Sequence, residues 1–264
     1  MITLRPAAER GAADHGWLDT RFSFSFADYH DPSHMGYRAL RVLNEDVVAA
    51  GTGFGPHPHR DMEILTWVLS GAVQHADDTG GTSVLRAGEI QRMTAGRGIV
   101  HSETNPFDEA LHLLQIWILP DERGSQPGYE QQAVDDAALR AGLVLLASPD
   151  RRDGSLALGA DAQVYAGRPT AGTELRHTLE RGRGAWVQVA RGRLTLNGQT
   201  LGAGDGASVE GVSTLDLVAL EDSELLLLDL AGATRRGGPR CRAERLRSLA
   251  GRAPATRPAG PGRA

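Results

Sequence analysis

Two short pairs, His57-Pro58-His59 and His101-Ser102-Glu103, carry the residue types in this sequence best suited to chemistry. An i, i+2 pair on a strand turns both side chains to one face. Two such pairs on facing strands would bring three imidazoles and one carboxylate to a single point. That donor set suits a divalent first-row metal ion and leaves coordination positions open for a reactant. A lone histidine on a strand is ordinarily a packed or solvent-facing residue. Here the spacing occurs twice, each time after a glycine-rich turn, and the repetition sets these four residues apart.

The elements that must position them read as β. Phe22-Ser23-Phe24-Ser25-Phe26 alternates like a strand with one aromatic face, Asp31 to Gly36 reads as a turn, and Arg38 to Asn44 alternates again. Ile64 to Leu69 is a β-rich run closed by Ser70-Gly71, and Leu111 to Leu119 is almost continuously apolar, the pattern of a strand buried on both faces. Asp77 to Gly81, Ala87-Gly88-Glu89 and Ala95 to Gly98 punctuate the segment between them. Beyond a charged connector, Asp121 to Gln132, and a short helix over Asp135 to Ala141, strands return at Leu143–Ala147, Gln163–Ala166, Ala185–Ala190, Arg193–Leu196, Thr214–Leu220 and Glu224–Leu230. Asn197-Gly198 signals a type I′ hairpin. Short strands at this turn spacing predict an all-β sandwich or barrel.

The two halves repeat one pattern. Val68 to Glu89 runs strand, glycine turn, strand, glycine turn, and Val187 to Asp205 does the same, which points to a tandem duplication. The second copy has only His177 and no His-x-His or His-x-Glu pair, so metal chemistry belongs to the first. The expected organisation is a metal-binding domain over 1–133, a second domain lacking ligands over 134–232, and a disordered basic tail over 233–264. From Arg235 onward nine arginines face one acid, Glu244, which leaves the preceding residues near −13 within a net charge of −5. Such a tail could touch nucleic acid weakly through phosphate charge, although a solvated extension without function is the simpler reading. All 28 basic residues are arginine.

A single cysteine, Cys241, allows no intrachain disulfide. No apolar run approaches the roughly 20 residues of a membrane span, and Met1 to Pro6 carries no signal-peptide core, so a cytoplasmic protein is expected. Glu63 shares the strand parity of His57 and His59, but Asp61 and Glu63 are expected as an outer shell that holds the histidine N–H groups or Arg60. Phe54, Met93, Gln115 and Trp117 are candidate pocket walls. His30, His34, His75 and His112 read as structural or solvent-facing.

The strings Gly53-Phe54-Gly55-Pro56-His57-Pro58-His59-Arg60-Asp61-Met62-Glu63-Ile64 and Gly88 through Asn105 resemble the two signatures of the pirin family. Leu114 to Ile118, Phe24 to Ala27 and Asp31 to Gly36 fit as well, so the resemblance is strong over roughly 15–120 and one of pattern beyond. Thr94 stands where the general cupin motif has proline, and four residues rather than two separate Gly96 from His101, a departure typical of pirins. The resemblance implies a bicupin, two β-barrels in tandem with a metal in the first only, held by His57, His59, His101 and Glu103. The metal it implies is iron, Fe²⁺, although the same ligands accept Mn, Co, Ni, Cu or Zn.

Two activities follow from the resemblance. Some pirins cleave quercetin and related flavonols with dioxygen and release carbon monoxide, which implies a small aromatic substrate, with Glu103 as the base for the flavonol 3-hydroxyl. Others are non-catalytic, redox-sensing regulators that bind a protein partner, a transcription factor or a metabolic enzyme. Metal-assisted hydrolysis or isomerisation is a weaker third possibility. Coordination positions left open in a barrel favour the enzyme.

Overall fold

The computed structural model describes residues 1–232. The arginine-rich tail expected from residue 233 lies outside the described residues. Within them the chain forms four antiparallel-dominated sheets, a seven-stranded and a four-stranded one in each half. In the first half the large sheet runs Gly128–Ala133, Glu89–Thr94, Glu63–Ser70, Leu111–Ile118, Leu40–Val48, Leu18–Phe22, Gly11–Asp14, and the small one Thr52–His59, Ile99–Asn105, Ala72–Asp77, Thr82–Arg86. The second half repeats the plan, with Gly184–Arg191 and Glu224–Leu230 at the centre of its large sheet. The duplication read from the turn pattern is thus visible as architecture.

Strand parity explains why the central strands are apolar throughout. Leu65, Trp67 and Leu69, with Leu114, Ile116 and Ile118, join one core with Leu226, Leu228 and Leu230 of the other half. The alternate residues turn inward. Ile64 and Trp117 pack in one inner cluster of the first barrel, Val68 and Leu113 in another, and Leu225 and Leu227 pack inside the second. The two large sheets therefore lie back to back, and each buried Leu or Ile contributes roughly 1.5–3 kcal/mol of transfer free energy. Polar contacts fix the seam: Trp67 Nε1 donates to Glu224 Oε1 at 2.9 Å, and Arg168 donates to the same oxygen at 3.0 Å while lying 5.5 Å from the Trp67 ring.

Other elements follow their local chemistry. The helix spans Asp136–Ala141, capped by Asp135, whose carboxylate accepts from the Ala137 and Ala138 N–H groups. Asn197 and Gly198 adopt φ of 46° and 83°, both positive as a type I′ turn requires. The Phe22 to Phe26 strand is not formed as expected. The strand is Leu18–Phe22, and residues 23–26 bend away so that Phe24 enters the core between the halves while Phe22 and Phe26 pair at 5.7 Å. Alternation there encodes a bend that serves two cores, not a pleated face. Ile2–Arg5, counted by sequence with the first domain, pairs antiparallel with Gly206–Val209 and so completes the second half's large sheet.

Among the described residues no helix is long and apolar enough to cross a membrane.

A candidate metal centre at the floor of an aromatic cavity

The two histidine pairs lie on neighbouring strands of one sheet, not on facing strands. Thr52–His59 and Ile99–Asn105 are antiparallel, with His57 opposite His101 and His59 opposite Ile99. The register then slips by one before Glu103 meets Phe54, which places an extra residue around Gly55-Pro56. Pro56 and Pro58 are tolerated because Thr52–His59 is an edge strand, bonded on one side only. Gly53 has a structural reason too: with φ of 149°, a Cβ there would lie 2.4 Å from the Thr104 Cα.

The result is three converging imidazoles. Ring centroids are 4.5 Å apart for His57 and His101, 4.8 Å for His57 and His59, and 4.9 Å for His59 and His101. One nitrogen from each lies within 4.8 Å of the others. The Gly55 carbonyl, in the slipped stretch of the ladder, sits 2.8 Å from His57 Nδ1; as an acceptor it puts the proton there and leaves the Nε2 lone pair free. His59 packs edge-on against Trp117 at 4.8 Å. Burial first, then repulsion from the neighbouring imidazoles, pushes both His59 and His101 down to about 3, so both stay neutral with lone pairs available.

Glu103 stands slightly apart, in a second close group with His75 and His101. Its carboxylate is tightly held. Gln91 Nε2 donates to Oε1, Gln115 Nε2 donates to Oε2 at 2.7 Å, and the Thr66 hydroxyl lies 3.2 Å from Oε1. A donor set of converging imidazoles beside an oriented carboxylate suits a first-row divalent ion. His101 Nε2, buried and without a hydrogen-bond partner, is an orphan that an ion would satisfy.

Arg60, Asp61 and Glu63 do not surround the histidines as expected. Arg60 is exposed with its guanidinium near Gly98; Asp61 has φ of 50° and accepts from the Gly124 N–H at 2.7 Å. Glu63 accepts from the Thr94 hydroxyl at 2.9 Å and lies against Gly159 of the other half. Parity misleads here because the strand ends at His59 and restarts at Glu63, so the two segments belong to different sheets. Gln91, Thr66, Gln115 and His75 stand closest around Glu103 and His101 instead. A signal for His75 existed: His75-Ala76-Asp77 is another i, i+2 pair of metal-site residue types.

The histidines open onto a cavity of about 460 Å³ walled by Trp17, Phe22, Phe26, Phe54 and Trp117, with Asn44, Asp46 and Gln115 as polar points. That is within the range for small-molecule sites, and its lining mixes aromatic walls with many polar groups, Thr20 and Asp28 among them. Phe54, Gln115 and Trp117 line it as expected; Met93 is ordinary core with Ile64 and Ile99.

Two family descriptions match the chain: "Pirin" over residues 3–118 and "Quercetinase C-terminal cupin domain" over 145–230. A quercetin 2,3-dioxygenase of Escherichia coli K12 is 48% identical over 231 residues, covering 87% of this chain and 99% of that protein. The chain belongs to the pirin family. A bacterial pirin from Escherichia coli, YhhW, solved in complex with nickel(II), superimposes with a TM-score of 0.84 at 48% identity, over 88% of this chain and all of that one. A quercetin 2,3-dioxygenase from Acinetobacter baumannii shares the fold, with a TM-score of 0.70 at 22% identity over 88% of this chain and 86% of that one. The site thus lies in the pirin half of a two-cupin chain, and a metal ion is the cofactor that its donors and its nickel-bound relative support.

Proposed function

We propose that this pirin is a metal-dependent dioxygenase that opens flavonols such as quercetin with dioxygen and releases carbon monoxide. One observation carries the reading: three converging imidazoles, those of His59 and His101 held neutral by burial, and a buried carboxylate lie at the floor of a 460 Å³ cavity with aromatic walls. The names of its relatives point the same way. His57, His59, His101 and Glu103 would hold the ion. Iron, Fe²⁺, is the proposed metal, since the reaction uses dioxygen and the nickel seen in a relative shows only that the donors accept a first-row ion.

When bound, the ion supplies Lewis-acid and redox assistance to the reaction between flavonol and dioxygen. The protein supplies the rest. Phe22, Phe26, Phe54 and Trp117 offer flat apolar surfaces for a planar polyphenol and exclude water. Glu103, once shifted off the ion, takes the 3-hydroxyl proton, which makes the substrate electron-rich enough to react with dioxygen; ring opening then expels one carbon as carbon monoxide. Gln91 and Gln115 hold that carboxylate in place before the proton arrives.

The test is flavonol loss by absorbance in air, comparing Fe²⁺-loaded protein, metal-free protein and His59→Ala. Turnover confined to the loaded wild type is the expected result. One bound ion per chain without turnover would sink the dioxygenase reading and turn attention to a protein partner.

A further inference from the structure

His75 and Asp77 take no part in the reading above, yet both are sealed from solvent directly beside a proposed ligand. Their strand pairs with the His101 strand so that Asp77 lies opposite His101 and His75 opposite Glu103. Asp77 Oδ2 is 3.0 Å from His75 Nε2. Its other oxygen, Oδ1, accepts from the Thr79 N–H at 2.8 Å, the Thr79 hydroxyl at 2.5 Å and the Gly81 N–H at 3.3 Å. A carboxylate so surrounded by donors acts as an acceptor, so the proton between it and His75 belongs on Nε2.

The consequence passes through the ring. A neutral imidazole protonated on Nε2 presents a lone pair at Nδ1. His75 Nδ1 lies 3.4 Å from His101 Nδ1, a long contact, and two lone pairs cannot share it. His101 must then carry its proton on Nδ1. That leaves a lone pair on Nε2, the one buried atom of this ring without a partner, on an imidazole packed 4.5 Å and 4.9 Å from His57 and His59. Tyr129, stacked on His75 at 4.4 Å and 25°, keeps the intermediate ring in plane.

We infer that Asp77 and His75 are positioning residues that select the tautomer of His101 and so present its Nε2 to the metal ion. The inference rests on the reading that His101 is a ligand. It also opposes a second arrangement that the distances allow, in which His75, His101 and Glu103 together hold the ion. In that arrangement a nitrogen of His75 would be a ligand and not the acceptor of the His101 Nδ1 proton.

The tautomers can be read in the metal-free, full-length protein by long-range ¹H–¹⁵N correlation of ¹⁵N-histidine. The expected pattern is a proton on Nε2 of His75 and on Nδ1 of His101. Asp77→Asn keeps one oxygen for the Thr79 and Gly81 donors but turns an amide N–H₂ toward His75. That inverts both tautomers and weakens nickel(II) binding roughly 10- to 100-fold, the usual effect of losing a group that orients a metal ligand. Adding His75→Asn to this variant places a side-chain carbonyl where Nδ1 was, which restores the His101 tautomer and most of the affinity.

A wild-type His101 protonated on Nε2, or a doubly protonated His75, overturns the inference. So does an Asp77→Asn protein that loses nickel without a change of tautomer, or one that His75→Asn fails to rescue, since Asp77 would then serve only its turn. These signals need neither metal nor substrate, so a protein inert toward flavonols fails the dioxygenase reading and leaves this one standing.

Discussion

Asp46 is the most exposed point of the design to a simple substitution. It is fully buried on the strand Leu40–Val48, where Thr20 and Leu113 are its register neighbours, and it borders the cavity. Burial foremost, with Glu103 and Glu45 adding repulsion and Thr20 pulling back, pushes its carboxyl up to about 7 from an ordinary 3.8. A group raised in the folded state contributes stability that is fully present below the unfolded value and is lost as the pH climbs through the folded one. Between 3.8 and 7, at 1.36 kcal/mol per pH unit, the loss by neutral pH approaches about 4 kcal/mol. Asp46→Asn keeps the shape and removes the ionisation. The metal-free variant should therefore exceed the wild type by about 2–4 kcal/mol at pH 7, roughly 5–15 °C in Tm. The advantage should vanish below about pH 4, where the wild-type carboxyl is protonated in both states. Thermal melts of both proteins at pH 4, 7 and 8 decide the matter. An Asp46→Asn protein no more stable than wild type at pH 7 would refute the argument, because Asp46 would then ionise in the fold at no cost.

The neutral histidines predict the opposite trend. His59 and His101 are depressed to about 3, so the unfolded chain takes up their protons first, and metal-free protein should lose about 2–3 kcal/mol for each at pH 4.5 relative to pH 7; His59→Gln should flatten that acid limb in urea titrations, and an unchanged limb would count against the cause given. Trp67→Phe removes the N–H that reaches Glu224 across the seam and should cost about 1–3 kcal/mol in urea unfolding, with flavonol kinetics untouched. Gly53→Ala forces a Cβ into the Thr104 backbone at a φ that alanine avoids; about 2–3 kcal/mol of stability and a measurable part of the nickel affinity should go together, since the backbone displaced is that of Glu103 and Thr104.

Much of the site was legible because its chemistry is local. His57, His59, His101 and Glu103 announce themselves through spacing, and the ladder between their strands does bring the three imidazoles together. The surroundings were not, because they depend on which sheet a strand joins. Glu63 shares its strand's face with Leu65 and Trp67, turned toward the other half of the chain, whereas Thr66 on the opposite face of that strand and Gln91 on the next strand reach Glu103. The cavity walls Trp17, Phe22 and Phe26 come from a segment whose bend at residues 23–26 mimics a strand. The back-to-back sheets were half legible: Leu111 to Ile118 reads as buried on both faces, but nothing in it says that one face meets the other half of the chain.

The strand Ile2–Arg5 carries a consequence for how the protein is made. It emerges from the ribosome some two hundred residues before Gly206–Val209, the strand it pairs with. At about 5–20 residues per second that interval is roughly 10–40 s. The first barrel has all its own strands long before then and can close around its histidines, while its leading strand waits unpaired. The pairing of Ile2–Arg5 with Gly206–Val209 thus comes late, a contact of very high sequence separation and correspondingly slow. The metal-binding half would be competent to take up its ion during synthesis, before the two halves are tied together.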